Sequence, residues 1–483
     1  MRLPASLRFL IPVLIGAFLV FQVQPLLARR ILAWFGGGSS VWTACLLFFQ
    51  AALLLGYLYA HLVIRYLKPR TLLVVHGSLL LVSLVFLPLA PAESWKPAPG
   101  DDPVLRILLL LTCTAGLPYV LVSSTSPILQ ALYARSKPGA SPWRLFALSN
   151  TGSLLGLLSY PVLIEPRLAL DGQALWWSGL YVCYAIGTLF ALIPGSGGAV
   201  ESAVEGLEAV AEKPRTLAWI GLPALASVML LAGTNYLTTN VPPTPFLWIL
   251  PLTAYLLSFI LTFDSDWWYR PWVFAWLLGA ALLVLAACVR RAELTFEVWI
   301  LAPAITLGVF VISMWCHGEL VRLRPGPARL TRFYLMIAAG GALGGLLVSV
   351  VAPAVLPGSA EFPIGLALVA LTALAMNYGK NIVRDAAHAL VAAIVISVGF
   401  AYVQDFVGNS VTTARSFYGA LRVTESREGG SRVRTLVHGL IAHGTQVLEP
   451  VSEHMKATSY YAYGSGVWRA LERSKGLSGR RVG

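Results

Sequence analysis

Charged residues are scarce in this sequence. Only 12% of its 483 residues are Asp, Glu, Lys or Arg, whereas 57% are hydrophobic, and the mean hydropathy is +0.73. A soluble globular chain carries about 25% charged residues. The shortage excludes an ordinary soluble domain and predicts a membrane protein with many spans.

Acidic residues are the scarcer of the two signs. The chain has 22 Asp and Glu against 35 Lys and Arg, which gives a net charge of +13. A basic excess is found in nucleic-acid binders. Here, however, the Lys and Arg stand in short loops between apolar stretches, where they orient a membrane protein. We therefore expect a lipid bilayer as partner and no nucleic acid.

Cysteine and the common catalytic motifs are also lacking. The five cysteines lie in or beside apolar segments and form no CxxC pair, which favours small core residues over disulfides or metal ligands. The sequence contains no HExxH, no GxSxG and no phosphate-binding loop. We expect no metal site, and the apolar part of the chain indicates no reaction.

Long apolar runs dominate what is present. The first begins after Arg2 and Arg8, as a signal peptide does, but it is long enough to span a bilayer and more spans follow it. About thirteen segments have this length. They cover residues 7–27, 41–64, 71–90, 104–133, 143–164, 173–194, 216–233, 246–263, 271–289, 297–317, 332–356, 363–379 and 386–403.

The two halves of the apolar part share a pattern. Segments 144–156 and 332–344 each begin with Arg, and each has Gly at its ninth and thirteenth positions. Small residues at this spacing let membrane helices approach closely, and many transporters are built from repeats. Chance likeness of Gly-rich helices is the alternative. The sequence predicts an all-α polytopic membrane domain in two related halves, with a small C-terminal β-rich domain.

The predicted domains follow from these patterns. They are residues 1–194 and 216–403 as the membrane halves, 195–215 as a Gly-rich and then acidic linker, and 404–483 as the β-rich tail. Loop charge predicts an inside N-terminus. The expected location is the cell inner membrane. Thirteen helices then put the tail outside, and one helix more or fewer reverses its side.

A few polar residues fall within or at the ends of the spans: Gln22, Gln24, Asn150, His317 and Glu319. Polar groups at membrane depth are costly and usually face the protein interior. Segments 123–127 and 241–245 contain proline and are predicted to break their helices and expose backbone to a ligand. Bonds between helices, without any ligand, are the alternative for all of these residues.

The tail has a different character. Val423 and Thr424 lie in a run that favours strand, and residues 428–431 (Glu-Gly-Gly-Ser) predict a hairpin turn before a second such run. A small β-rich tail with no function of its own is one interpretation.

Residues 415–463 resemble the N-terminal β-domain of spermidine synthases. Together with 21–29 (FQVQPLLAR), 41–50 (VWTACLLFFQ) and 316–320 (CHGEL), they are similar to bacterial membrane proteins in which major-facilitator-like helices precede a spermidine synthase-like module. The resemblance covers essentially the whole chain. It implies a ligand pocket for a polyamine-like or adenosyl group, lined by Tyr418, His438, His443, Gln446, Tyr460 and Tyr461.

In that family a Rossmann-like domain follows, with a Gly-rich nucleoside loop and catalytic Asp residues. Residues 479–483 resemble the start of its first strand, and no such loop or Asp comes after them. We therefore expect no catalytic residue and no cofactor on this chain. Decarboxylated S-adenosylmethionine would be the co-substrate if a separate soluble domain supplied catalysis.

Three hypotheses remain open at this stage. The first is an integral membrane spermidine synthase-like protein that is not catalytic alone. The second is a multi-pass transporter of polyamines or other small solutes. The third is a membrane scaffold that docks a soluble partner.

Overall fold

The computed structural model describes residues 7–36, 39–98, 100–136, 143–193, 215–241, 247–290, 298–326, 329–379, 381–416, 419–439 and 441–473. Predicted features at 195–214, 242–245 and 479–483 lie outside these residues. The described chain is a bundle of apolar helices followed by a four-stranded sheet. The predicted fold class is confirmed.

Six helices form the first half. They are α1 (Leu7–Phe35), α2 (Ser39–Tyr66), α3 (Pro69–Ser83), α4 (Pro103–Ser136), α5 (Trp143–Ser159) and α6 (Leu170–Leu192). The second half contains α7 (Thr216–Asn240), α8 (Ile249–Asp264), α9 (Pro271–Arg290), α10 (Val298–Arg322), α11 (Leu330–Leu346), α12 (Ala352–Val355) and α13 (Glu361–Asn377), and α14 (Ile382–Gly408) follows it. Single π-helical turns extend α5 over Tyr160–Ile164 and α11 over Leu347–Val351.

The number of spans agrees with the sequence pattern. In the described residues, 11 helices are long and apolar enough to cross a membrane, and two shorter apolar helices are α8 and α13. Each of the thirteen predicted segments overlaps one of these helices. The chain is thus a multi-pass membrane protein.

The two halves are built alike. Helix α5 packs against α1, and α11 packs against α7. A Cβ atom added at Gly156 would lie 2.6 Å from the carbonyl oxygen of Phe18, and one added at Gly344 would lie 2.6 Å from that of Ala224. The glycines predicted from the repeat therefore have the same role in both halves, because each allows two helix backbones to pack in contact.

The halves meet through crossed contacts. Helix α5 of the first half packs on α8 of the second, and α11 of the second packs on α2 of the first. Helix α14 packs against α13 and α9 at the periphery.

Helix α4 corrects one prediction. The segment 123–127 does not break the helix, which runs unbroken through Pro127. The hydroxyls of Ser124 and Thr125 both donate to the Leu121 carbonyl oxygen, at 2.8 and 2.9 Å. Side-chain hydroxyls and neighbouring helices satisfy polar groups around a proline in a membrane helix, so the helix continues.

The ends of the helices define two faces. We call the end that carries the loops after α2, α4, α8, α10 and α13 the basic face, because the predicted inside Lys and Arg lie there. At this face Arg135 donates to the Ile64 carbonyl oxygen, and the Trp219 indole donates to that of Leu323. The opposite end is called the sheet face, because α14 ends there and leads into the sheet.

The sheet is an antiparallel meander in the order β1-β2-β3-β4. Its strands are β1 (Thr412–Ser416), β2 (Gly419–Glu428), β3 (Ser431–His438) and β4 (Ile441–Glu449). Gly429 and Gly430 join β2 to β3 with φ of 56° and 87°, which only glycine adopts readily in a two-residue hairpin. The predicted hairpin is confirmed. A short helix, α15 (Gly466–Arg473), follows.

The first strand docks on the membrane domain. Arg415 forms a bidentate ion pair with Glu361 at the start of α13, with nitrogen–oxygen distances of 2.9 and 3.1 Å, and also donates to the Leu356 carbonyl oxygen. The Glu361 side chain is 5% exposed and that of Arg415 is 15% exposed. At Gly439, the residue after β3, a side chain would collide with the Thr239 carbonyl oxygen. The sheet therefore rests closely on the ends of α7 and α13.

Candidate functional site

A cavity of about 180 Å³ lies between the two halves. Helices α1, α2, α4 and α5 line it on one side, and α7, α8 and α11 line it on the other. It is the space that the crossed packing of the halves leaves along their shared axis.

Hydrogen-bonding side chains come almost entirely from the first half. They are Gln24, Gln50, Tyr57, Tyr119, Ser123, Ser126, Ser149, Asn150 and Ser153. The second half contributes apolar side chains apart from Thr234, Tyr255 and the indole of Trp248. The Thr234 hydroxyl donates to the Leu230 carbonyl oxygen of its own helix, so Tyr255 is the main polar group on that side.

The asymmetry is visible at equivalent positions of the repeat. Phe18 and Ala224 are equivalent positions of the repeat. With the same spacing along the chain, Gln24 corresponds to Leu230 and Gln50 corresponds to Leu256. When α5 and α11 are aligned at their paired glycines, three polar residues of α5 correspond to residues without a polar side chain in α11. These pairs are Ser149 and Ile337, Asn150 and Ala338, and Ser153 and Gly341. All of these residues line the cavity. The two walls therefore share a backbone plan and differ in polarity.

An aromatic pair lies at the end of the cavity towards the sheet face. Trp42 lies in the first turn of α2, Trp248 immediately precedes α8, and both line the cavity. Their ring centroids are 3.8 Å apart, with an angle of 38° between the planes. The pair joins the first half to the second, since each residue belongs to a different half.

A second aromatic pair lies at the end of the cavity towards the basic face, where Phe146 is a lining residue. Phe146 of α5 stacks on Tyr334 of α11, with ring centroids 4.8 Å apart and planes 10° apart. The Tyr334 hydroxyl donates to Oε1 of Gln130 on α4, at 2.7 Å. Phe146 and Tyr334 stand at equivalent positions of the repeat, as Trp42 and Trp248 do.

The cavity is neutral. Among the described residues that line it, none is Asp, Glu, Lys, Arg or His. A charged ligand would therefore lose its water without meeting a counter-ion, which is costly in a low-dielectric interior.

Two of the predicted polar residues line this cavity. Gln24 donates to the Tyr119 hydroxyl at 3.2 Å, and Asn150 donates to the Phe146 carbonyl oxygen of its own helix at 2.9 Å. Gln22 does not line the cavity, because it points to the α1–α5 contact and donates to the Gly156 carbonyl oxygen at 2.7 Å. For Gln22 the alternative interpretation, a bond between helices, fits the structure.

His317 lies behind the cavity wall. It is fully buried, its Nδ1 is 2.8 Å from the Ser258 hydroxyl, and its ring stacks 3.6 Å from that of Phe259, which does line the cavity. Glu319 lies at the basic face, where it accepts from the Tyr269 hydroxyl at 2.8 Å and pairs with Arg322. The structure does not bring these two residues into the cavity.

In the tail, the structure brings together some predicted ligand residues. The rings of His438 and His443 are 5.8 Å apart. Burial lowers the pKa of His438, and the neighbouring His443 lowers it further. The Nε2 atom of Gln446 lies 3.2 Å from the Nε2 atom of His454. That these side chains line one ligand pocket stays a prediction.

The tyrosines of the tail complete the predicted set. Tyr461 ends the short helix Ser459–Tyr461 and is 58% exposed. Tyr418 and the side chain of Tyr460 lie outside the described part of the chain.

A second space of about 600 Å³ lies between the sheet and the membrane domain. Thr43, Asn235, Glu361 and Arg415 are among its polar lining residues. The Thr43 hydroxyl donates to the Asn235 side chain at 3.2 Å, next to Trp42. This vestibule therefore adjoins the aromatic pair at the sheet face.

Most cavity residues were not predicted from the sequence. Gln50, the serines of α4 and α5 and the closing aromatics are residue types that membrane helices also use for packing. The repeat provided one usable signal, because aligning the halves at Gly156 and Gly344 places Phe146 beside Tyr334 in the alignment.

Comparison with solved structures finds matches at low sequence identity. The chain is similar to the proton:xylose symporter XylE of the major facilitator superfamily, bound to 6-bromo-6-deoxy-D-glucose, at 13% identity over 82% of this chain and 94% of that chain, with a TM-score of 0.42. It is also similar to a double-tryptophan mutant of XylE, at 12% identity over 86% and 96% of the two chains, with a TM-score of 0.42. No protein-family description matches the chain, and no curated protein matches it.

Proposed function

We propose that this protein is a membrane carrier that moves small uncharged solutes between the two faces of the bilayer. The observation that supports it most directly is the cavity between the halves, which has a repeat-equivalent aromatic pair at each end. A solute in this cavity has left one face and has not reached the other.

Each aromatic pair can separate without breaking a covalent bond. Both pairs join one half to the other, and neither is covalent. An aromatic pair contributes about 0.5–1.5 kcal/mol beyond its buried area. Rocking of one half against the other would separate Trp42 from Trp248 while Phe146 stays on Tyr334, or the reverse. Such rocking about a central site is how repeat-built transporters alternate their access.

The lining favours an uncharged solute over a polyamine. A polyamine carries several positive charges at neutral pH, and the described lining residues include no carboxylate that could pair with them. An uncharged polar solute loses only hydrogen bonds to water, and the amides and hydroxyls of the first half replace these.

The test is solute counterflow in proteoliposomes that contain only this protein. The vesicles are exposed to labelled uncharged, anionic and cationic solutes of single-ring size or smaller, with putrescine among the cations. We expect counterflow of at least one uncharged solute and none of putrescine. Carrier function would be disproved if every uncharged solute moved at the rate seen in protein-free vesicles, and putrescine flux would disprove the solute class.

A cross-link supplies the matched control. In a cysteine-free background, Trp42→Cys and Trp248→Cys are joined by a short bismaleimide, which holds the sheet-face end shut. Flux should stop in the double variant and persist in each single-cysteine variant treated with the same reagent.

A second proposal follows from the sequence resemblance. We propose, as the alternative, a spermidine synthase-like membrane protein whose tail is the β-domain of an aminopropyltransferase and whose catalysis requires another chain. The four-stranded meander over residues 412–449 supports it. The expected result is no turnover of decarboxylated S-adenosylmethionine and putrescine by this chain alone, and turnover when a soluble Rossmann-like partner is added. Turnover by the chain alone would refute this form of the proposal.

A further inference from the structure

From the cavity we infer the chemistry of the ligand: a single-ring, uncharged solute that presents an amide or hydroxyl edge to the first half and an apolar ring face to the second. This inference rests on the proposed carrier function and narrows its solute class. Three observations on the cavity support it, namely its volume, the polarity of its two walls and the position of its amides.

The volume limits the size of the ligand. An enclosed apolar cavity of about 150 Å³ holds a benzene molecule. The cavity here is about 180 Å³. It therefore has room for one six-membered ring with a small polar substituent.

The wall of the second half offers a surface for a ring face. Tyr255 and Phe259 lie on the cavity side of α8, and Trp248 lies on the same wall just before the helix. The His317 ring stacks on Phe259 from outside the cavity and makes a T-shaped contact with Tyr255. Aromatic side chains fixed in this way favour offset or edge-to-face contact with another ring.

The wall of the first half offers the hydrogen bonds. Asn150 donates one N–H to the Phe146 carbonyl oxygen, and Gln24 donates one to the Tyr119 hydroxyl. An amide side chain has two N–H donors and one carbonyl oxygen, so each retains capacity that a ligand edge can use. A site built to hydrogen-bond its ligand also rejects an analogue that leaves those groups unpaired.

Three probes of one size test the charge preference. Benzamide is uncharged, benzoate is an anion and benzylamine is a cation at pH 7, and all three carry the same ring. Equilibrium binding to the full chain in lipid nanodiscs is measured for each. We expect the dissociation constant of benzamide to be at least about tenfold lower than that of either ion. Equal or tighter binding of an ion, or no binding of benzamide, would overturn the inference.

Variants test the position of the polar edge. Asn150→Ala should weaken benzamide binding about tenfold by removing a hydrogen-bonding group. Asn377→Ala is the matched control, because Asn377 makes the same bond to its own helix, at 3.0 Å to the Ala373 carbonyl oxygen, but at the basic face. Asn150→Asp should reverse the order so that benzylamine binds more tightly than benzamide, which no folding defect would produce. Unchanged selectivity in Asn150→Asp would contradict the assignment.

Binding and transport separate the two proposals. Benzamide that binds with the expected selectivity but shows no counterflow would leave the ligand chemistry standing and refute the carrier. Counterflow of other uncharged solutes, without benzamide binding, would leave the carrier standing and refute the ligand chemistry.

Discussion

Trp42 and Trp248 occupy the same place in the two halves of the chain, and their rings lie 3.8 Å apart across the axis between the halves. Residues related by an internal repeat touch each other only where they are close to the axis that relates the halves. The pair therefore marks the line along which the halves would separate.

Removing one ring of this pair should open the cavity to the sheet face. In a cysteine-free background that carries Thr234→Cys as a reporter in the cavity, Trp42→Ala should raise the rate of labelling by a membrane-impermeant thiol reagent about fivefold, because a contact of about 1 kcal/mol is lost. The reagent is applied at the sheet face.

Two controls accompany this measurement. Trp299→Ala removes an exposed ring at the start of α10, 84% exposed, and should leave the labelling rate unchanged. Phe146→Ala should raise labelling from the basic face instead. Equal labelling from both faces in Trp42→Ala would show that the tryptophan pair does not close one end.

Close packing at the repeat glycines should be sensitive to a single methyl group. Gly156→Ala and Gly344→Ala each place a Cβ atom 2.6 Å from a backbone carbonyl oxygen. Overpacking of this kind costs about 1–3 kcal/mol, so both variants should unfold at lower temperature in detergent. Gly221→Ala is the control, since its Cβ would meet nothing within 4 Å. A loss of stability in the control as large as in the repeat variants would argue against this packing.

The ion pair between Glu361 and Arg415 should hold the sheet on the helices. Glu361→Gln leaves a mostly buried guanidinium without its counter-charge, which costs about 3 kcal/mol at a buried pair. Amide hydrogen exchange in β1 and β2 should accelerate accordingly. The double variant Glu361→Arg with Arg415→Glu restores opposite charges and should recover part of the protection; recovery no better than in the single variant would show that the pair does not dock the sheet.

The tail should lie on the side of the membrane opposite to the basic loops. In the described residues, 11 helices long enough to span and two shorter apolar helices precede the sheet, so an inside N-terminus puts the sheet outside. A cysteine at Met455, which is 92% exposed, should react with an impermeant reagent in intact cells. A cysteine at Arg70 should react only after the cells are permeabilised. The reverse pattern would invert the assigned orientation.

Low pH should weaken the sheet through Glu425. This carboxylate accepts hydrogen bonds from Arg434 and Arg432, and these bonds lower its pKa below the usual value. Because the folded pKa is the lower one, the stabilisation is present above the unfolded pKa and is lost as pH falls through the folded pKa. Exchange protection of β2 and β3 should fall over that acidic range in the natural protein and change less in Glu425→Gln. The same fall in both proteins would assign it to other groups.

Much of the fold could be predicted from the sequence because membrane helices are specified locally. A run of about 20 apolar residues must be helical in lipid, where every backbone group needs an internal partner. The two glycines of 144–156 and those of 332–344 predicted the contacts of α5 and α11, because only small residues permit backbones to touch. Gly429 and Gly430 predicted the hairpin for an equally local reason.

The sequence by itself therefore determined a membrane bundle in two related halves and a β-rich tail. Which polar residues share the cavity was decided by the tertiary structure. Gln22 and Gln24 lie two positions apart on one helix, yet one bonds α5 and the other faces the cavity. His317 and Glu319 had the same sequence claim as Asn150, and neither reaches the cavity. The physical reason is that a helix turns about 100° per residue, so the side on which a residue lies has meaning only once the neighbouring helices are in place.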